Sequence, residues 1–101
     1  MAKKEGIESI TVIERIRQKI RERDYYLSGH AEEEMAEDGF GRSDMENAIL
    51  QGHIEKKMTH DPRGTRYRIE GTARDGRVMH VLCRFREASS LIIITIYERE
   101  H

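Results

Sequence analysis

The chain has 101 residues, enough for one domain with a modest core, and hydrophobic and charged residues each make up 37% of it. Its net charge is −1, and a single cysteine excludes an internal disulfide and a zinc site built from several cysteines. The sequence shows no signal-peptide pattern and no apolar run of membrane-spanning length, so we expect a cytoplasmic protein with no membrane partner.

The near-neutral balance hides two segments of opposite charge. Residues 54–86 contain nine Lys or Arg against four Asp or Glu, a net charge of +5. Residues 24–47 contain eight acids against one arginine, a net charge of −7. The basic segment has the pattern of strands and the acidic one that of helices, so a basic sheet surface suited to a polyanion such as RNA is expected.

We interpret residues 1–101 as one domain, with a frayed start over residues 1–6 and a helical part over residues 7–52. A first helix is predicted because isoleucines recur at every third or fourth position, at Ile7, Ile10, Ile13, Ile16 and Ile20. The pattern breaks at Asp24, and Tyr25–Leu27 is predicted to form a short strand.

Two further helices have clear end signals. Ser28 is the expected N-cap of the second helix, and Gly39 ends it. Ser43-Asp44-Met45-Glu46 has the pattern of a capping box, which opens a third helix that stops at Gly52.

Residues 53–98 change to a period of two, which predicts a sheet. The predicted strands are Ile54–Met58, Thr65–Gly71, Val78–Arg86 and Leu91–Tyr97, with an Asp-Pro-Arg-Gly turn after the first and an Asp-Gly hairpin turn after the second. The last strand is apolar on both faces, as in an interior strand. Either Tyr25–Leu27 or a partner covers its free edge, and we favour Tyr25–Leu27.

Together, the predicted helices and strands indicate an α+β domain. Its N-terminal helices pack on one face of a mainly antiparallel sheet of four to five strands.

Strand alternation then predicts a site. The residues expected to pack against the helices are Tyr67, Ile69, Met79, Val81, Cys83, Phe85, Ile92, Ile94 and Ile96. The opposite face would collect Arg66, Arg68, His80, Arg84, Thr95 and Tyr97. Guanidinium groups can stabilise a pentacoordinate phosphorane, while an imidazole or phenol exchanges protons with a 2′-OH and the leaving 5′ oxygen. This chemistry needs no metal or cofactor. The alternative is a solvated polar face of an antiparallel sheet.

His30 and Cys83 have alternative interpretations. His30 is a candidate general acid or base, or a helix-start histidine bonded to nearby backbone. Its spacing to Glu33 and Glu34 is that of helical metal ligands, but no metal site is expected. Cys83 is expected to be a small buried hydrophobe rather than a nucleophile.

Several segments together resemble the bacterial domain-of-unknown-function 4258 family. They are YYLSGHAEEEMAEDGF (25–40), MENAILQG (45–52), Arg66-Tyr67, Gly71, the Asp75-Gly76-Arg77 turn and IITIY (93–97), within a match from Ile10 to Glu98. Many family members carry arginine where this chain has Glu34 and Asp38, so the chain resembles an acidic branch.

The resemblance implies a fold similar to the RelE/barnase-like ribonucleases and a toxin-like endoribonuclease that cleaves RNA, with ribosome-bound mRNA as a candidate substrate. It also implies a zinc-finger antitoxin as partner. His30, Arg66 and Tyr97 occupy family-motif positions, whereas Arg68, His80 and Arg84 rest on strand alternation alone. The expected catalytic residues are His30, Arg66, His80 and Tyr97, with Arg66 neutralising the scissile phosphate. The expected substrate-binding residues are Arg68, Arg84 and Thr95. Two other functions stay open: a non-catalytic RNA- or protein-binding module with the same fold, and an interaction protein that docks an antitoxin through its first helix or a strand edge.

Overall fold

The computed structural model describes residues 11–87 and 90–99. In these segments the elements follow the order α1 (Val12–Arg21), β1 (Tyr25–Leu27), α2 (Gly29–Asp38), α3 (Arg42–Gln51), β2 (His53–Met58), β3 (Arg66–Thr72), β4 (Val78–Arg86) and β5 (Ser90–Glu98). The protein is therefore α+β, as predicted. The expected frayed start and the first two isoleucines of the stripe, Ile7 and Ile10, lie outside the described residues.

The five strands form one open, mixed sheet in the order β1-β5-β4-β3-β2. β2, β3, β4 and β5 pair with their neighbours in antiparallel fashion, whereas β1 runs parallel to the start of β5. β5 is thus an interior strand over its first half, and Tyr25–Leu27 covers its edge as predicted.

The helix ends confirm most of the predicted signals. The Ser28 side chain accepts a hydrogen bond from the Ala31 N–H at 3.0 Å, and Gly39 ends α2 in the left-handed conformation at φ 73°. The predicted cap at Ser43 is wrong, because α3 begins earlier and its N-cap is Gly41. Asp44 makes this possible, since its carboxylate accepts the Gly41 N–H at 2.8 Å and so satisfies the helix start.

One hydrophobic core lies between the helices and the sheet. Its fully enclosed residues include Ile16 of α1, Met45 and Ile49 of α3, and Ile69 and Val81 of the sheet. The apolar face of each helix meets the same side of the sheet. No helix among the described residues is long and apolar enough to cross a membrane.

The last strand differs from the predicted alternation. Leu91 and Ile93 are fully buried, whereas Ile92 and Ile94, which were expected in the core, are only half-buried. The cause is a register shift: Leu82 pairs with Thr95 but Cys83 pairs with Ile93, so Ile94 is an extra residue in β5. Such a bulge exchanges the two faces of a strand at that point.

Two glycines allow α3 and β3 to approach closely. A Cβ on Gly71 would collide with the Ala48 carbonyl oxygen, and one on Gly52 would collide with the carbonyl oxygens of Ala48 and Glu70. The contact is therefore between backbones, and it fixes the position of β3 under the helix.

Candidate active site on the open face of the sheet

The sheet face opposite the helices carries the polar side chains, and we call it the open face. Strand register arranges it in three rows across β3, β4 and β5. Successive rows are two residues apart along β3 and β4, or about 6.6 Å. On β5 the first two rows are three residues apart, because Ile94 is the extra residue of the bulge. The first row is Arg66, Arg84 and Ile92; the second is Arg68, Leu82 and Thr95; the third is Glu70, His80 and Tyr97.

The third row is a hydrogen-bonded chain, the Glu70–His80–Tyr97 chain. His80 Nε2 lies 3.1 Å from a Glu70 carboxylate oxygen, and its Nδ1 lies 3.3 Å from the Tyr97 hydroxyl. The two rings meet edge-on, with an interplanar angle of 81°. His80 is only 8% exposed, so its imidazole is almost enclosed.

The charge of Glu70 sets the direction of these hydrogen bonds. Hydrogen bonds from His80 and then from Arg99, which donates at 2.8 Å, hold the pKa of Glu70 below its usual value. Glu70 is therefore ionised at neutral pH and accepts a hydrogen bond from the N–H group at His80 Nε2. In a neutral His80, Nδ1 then carries the lone pair, and the Tyr97 hydroxyl donates to it.

Arg68 of the second row connects to this chain. Its Nη1 lies 3.5 Å from the Tyr97 hydroxyl oxygen, and its Nε donates to Glu55 at 2.6 Å. The hydrogen bond from Arg68 is the largest cause of the lowered pKa of Glu55. The Tyr97 hydroxyl thus lies between the guanidinium of Arg68 and the imidazole of His80.

Arg66 and Arg84 form the first row, and the second row lies between them and Tyr97. They are directly opposite one another on β3 and β4. Arg66 Nε lies 3.4 Å from a carboxylate oxygen of Asp61, which belongs to the turn between β2 and β3. The structure thus places both predicted arginines on the open face, together with Tyr97 but not in contact with it.

Thr95 and His30 contribute less to this arrangement. Thr95 lies opposite Leu82 in the second row. His30 is on the first turn of α2, with its side chain 66% exposed and Nε2 3.3 Å from a Glu34 carboxylate oxygen. Within residues 11–87 and 90–99, no hydrogen bond or ion pair joins His30 to Arg66, His80 or Tyr97.

Three carboxylates of this face were absent from the predicted site. Alternation alone places Glu70 beside His80, so this partner could have been identified from the sequence. Glu55 depends on a bulge between Ile54 and Lys56, and Asp61 depends on a turn that folds back on β3. Neither position follows from a regular strand pattern.

Metal and thiol chemistry have no assembled site in the part of the chain that the structure describes. No three His, Cys, Asp or Glu side chains there are placed to share one metal ion. Cys83 is fully buried, and burial raises the pKa of its thiol to about 12.

Comparison with known families gives one match. Residues 27–98 match the profile of a family described as "Domain of unknown function (DUF4258)". The chain belongs to the DUF4258 family. No curated protein and no solved structure matches the chain.

The DUF4258 region covers the candidate site almost completely. It runs from the last residue of β1 to the last residue of β5, and so includes all three rows of the open face. α1 precedes the DUF4258 match, although Ile16 and Ile20 of this helix belong to the core.

Proposed function

We propose that this DUF4258 domain is a toxin-like endoribonuclease that cleaves RNA without a metal ion, on a RelE-like fold. The observation that supports it is the Glu70–His80–Tyr97 chain beside Arg68, on a sheet face that none of the described helices covers. Proton-transfer groups and a guanidinium at one place are what phosphodiester cleavage by a neighbouring 2′-OH requires.

The geometry favours Tyr97 as the group that exchanges protons with RNA. The phenol oxygen would accept the 2′-OH proton as its own proton passes to His80 Nδ1. The freed 2′ oxygen bonds to phosphorus and the bond to the 5′ oxygen breaks. The proton then returns from His80 through Tyr97 to the leaving 5′ oxygen, so the chain ends the cycle unchanged. Glu70 stabilises the imidazolium that forms in between.

The arginines would supply positive charge to the phosphate. Arg68 is the arginine in contact with Tyr97, and it can stabilise negative charge that develops on the phosphorane. Arg66 and Arg84 bind RNA phosphates in this proposal, and Thr95 adds a hydroxyl between the two outer rows. His30 is the second proton-transfer candidate, with Glu34 as its partner.

The biological setting of the proposal is a bacterial toxin–antitoxin module. The substrate class is RNA, with ribosome-bound mRNA as the first candidate, and the cognate partner is a zinc-finger antitoxin that blocks the toxin. The expected location is the cytoplasm, where both would be found.

RNA cleavage by the purified protein in a metal chelator tests the proposal. The wild type should yield products with 2′,3′-cyclic phosphate and 5′-OH ends, and RNA methylated at the 2′ oxygens should stay intact. The His30→Ala, Arg66→Ala, Tyr97→Ala triple variant should lose cleavage and should no longer arrest growth when induced. If the triple variant cleaves as well as the wild type, the assignment is wrong.

A second candidate function is an RNA- or protein-binding module without catalysis. The ion pairs favour it, because Arg68 and Arg66 are each engaged by a carboxylate, from Glu55 and Asp61 respectively. Such a module would retain RNA with a salt-dependent affinity and leave it intact. Measuring both retention and turnover of one RNA separates the two functions.

A further inference from the structure

Arg66 and Arg84 occupy an arrangement that is unfavourable without an anion. The two residues are directly opposite each other in the β3–β4 register, and like charges at such positions repel. Arg84 has no ion pair within the residues that the structure describes, and Arg66 has only the contact to Asp61. The first row of the open face therefore carries an excess of positive charge.

These arginines line a cavity of about 180 Å³, which we call the arginine pocket. Its charged lining is Arg63, Arg66 and Arg84 against the single carboxylate of Asp61, and Ile92 and Ile94 supply an apolar wall. Ser28, the N-cap of α2, also lines it, so the positive end of that helix dipole adds to the guanidinium charges.

The one acid of the pocket does not neutralise it. The side chain of Asp61 is only 7% exposed, and it accepts the backbone N–H of Arg63 at 2.9 Å. Hydrogen bonds from Arg63, with its backbone N–H first, keep the pKa of Asp61 low. Arg66 Nε is buried yet has no hydrogen-bond partner among the described residues, despite the nearby carboxylate. The pocket thus has donors left for a second acceptor group.

The arginine pocket is separate from the Glu70–His80–Tyr97 chain. Arg66 and Glu70 are four residues apart on β3, which corresponds to about 13 Å along the strand. A phosphate seated between Arg66 and Arg84 is therefore not the phosphate that lies beside Tyr97.

We propose that the arginine pocket is a subsite for a second phosphodiester of a single-stranded RNA, next to the phosphate that is cleaved. This inference rests on the proposed function, which supplies RNA as the ligand. The apolar wall of Ile92 and Ile94 contacts the ribose or base attached to that phosphate. The subsite orients the strand along β3 and β4, so that one phosphate after the pocket reaches Arg68 and Tyr97.

Binding of an RNA hexamer with 2′-O-methyl groups tests the subsite without cleavage. Its affinity is measured by fluorescence anisotropy at several salt concentrations. Arg84→Gln should weaken binding about tenfold at low salt and reduce the slope of log K against log salt by about 0.7. Arg66→Gln should do the same. The matched control is Arg74→Gln, which removes the same charge at the β3–β4 turn, at the far end of these strands, and should change affinity less than twofold.

The outcomes separate the subsite from the proposed catalysis. If Arg84→Gln and Arg74→Gln have equal affinities and salt slopes, the subsite is wrong even where the wild type cleaves RNA. If the protein fails to cleave any RNA but Arg84→Gln shows the expected loss, the nuclease proposal fails and the subsite stands. Inorganic phosphate serves as a competitor, and displacement of the hexamer at equal concentration would overturn the assignment to an RNA strand.

Discussion

The hydroxyl of Tyr97 and the Nδ1 atom of His80 lie 3.3 Å apart across β4 and β5, and the two ring centroids are 5.3 Å apart. His80 is nearly enclosed, and Glu70 occupies its other ring nitrogen. The phenol therefore gives His80 a route by which to exchange a proton with a ligand on the open face. This makes Tyr97 the group at which substitution distinguishes chemistry from binding.

Tyr97→Phe should lower RNA cleavage by roughly 10² to 10⁴ while leaving RNA affinity within about threefold, because it removes the proton carrier and keeps the ring. The measurements are the rate of cleavage at saturating RNA and the affinity for 2′-O-methyl RNA. Tyr67→Phe is the matched control, since Tyr67 lies opposite Cys83 on the helix-facing side of the sheet. Equal cleavage rates for the two variants would remove Tyr97 from the mechanism.

Much of this face follows from local sequence pattern. Alternation in β3 and β4 correctly places Arg66, Arg68, His80 and Arg84 on one side, because both strands pair without interruption from Arg66–Arg84 to Thr72–Val78. The caps at Ser28 and Gly39 were also predictable, since their hydrogen bonds involve residues within one turn of the helix.

The remainder depends on contacts between distant parts of the chain. The bulge at Ile94 places Leu91 and Ile93 in the core, and its position depends on how β5 meets β4, not on the residue types of β5. Thr95 and Tyr97 lie on the open face as predicted because they follow the bulge. Similarly, Asp44 caps Gly41 and also accepts the N–H of Arg74, 30 residues away, which no local helix signal contains.

α2 also completes the sheet edge in a way that the sequence pattern did not indicate. β1 ends at Leu27, and beyond it the Glu34 carboxylate accepts the N–H of Ile96 at 2.9 Å while Asp38 accepts that of Glu98 at 3.2 Å. The acids of this helix therefore replace a strand partner.

Glu34→Ala should expose the Ile96 amide and lower the free energy of unfolding by about 1–3 kcal/mol, because a partly buried donor loses its acceptor. Hydrogen exchange should accelerate at Ile96 more than at Ile93. Glu33→Ala is the control, since Glu33 is an exposed carboxylate one position earlier on α2. Unchanged exchange at Ile96 in the Glu34 variant would contradict the edge-capping role.

Asp44→Asn should destabilise the protein by about 1 kcal/mol near neutral pH, as loss of a helix cap does. Hydrogen bonds from the backbone N–H groups of Gly41 and then Arg74 hold the pKa of Asp44 below its usual 3.8. The carboxylate therefore contributes stability above pH 3.8, and this contribution is lost as the pH falls through the lowered pKa. In urea unfolding at several pH values, the free energies of unfolding of the wild type and of Asp44→Asn should converge in acid. Glu37→Gln, the control, should follow the wild type at every pH.

Cys83 should not react with a thiol reagent in the folded protein at neutral pH. Its thiol is fully buried and has a pKa of about 12, so the reactive thiolate is scarce and inaccessible. The measurement is the rate of modification by a chromogenic disulfide, with the urea-unfolded protein as control. Equal rates in the folded and unfolded protein would show that β4 is not packed as described.

Gly71→Ala tests the packing that positions the open face. The added Cβ would meet the backbone of Ala48 in α3, which cannot rotate away as a side chain can, so β3 must move outward. We expect a loss of about 1–3 kcal/mol in the free energy of unfolding, as for overpacked cores. Gly29→Ala is the matched control, because a Cβ there meets nothing within 4 Å, and its free energy of unfolding should stay within about 0.5 kcal/mol of the wild type.

The same displacement should affect cleavage. Since Glu70 precedes Gly71, movement of β3 also carries Glu70 away from His80. A Gly71→Ala variant that remains folded should therefore cleave RNA more slowly than Gly29→Ala. Equal stability and equal cleavage for the two variants would mean that α3 does not hold β3 in place.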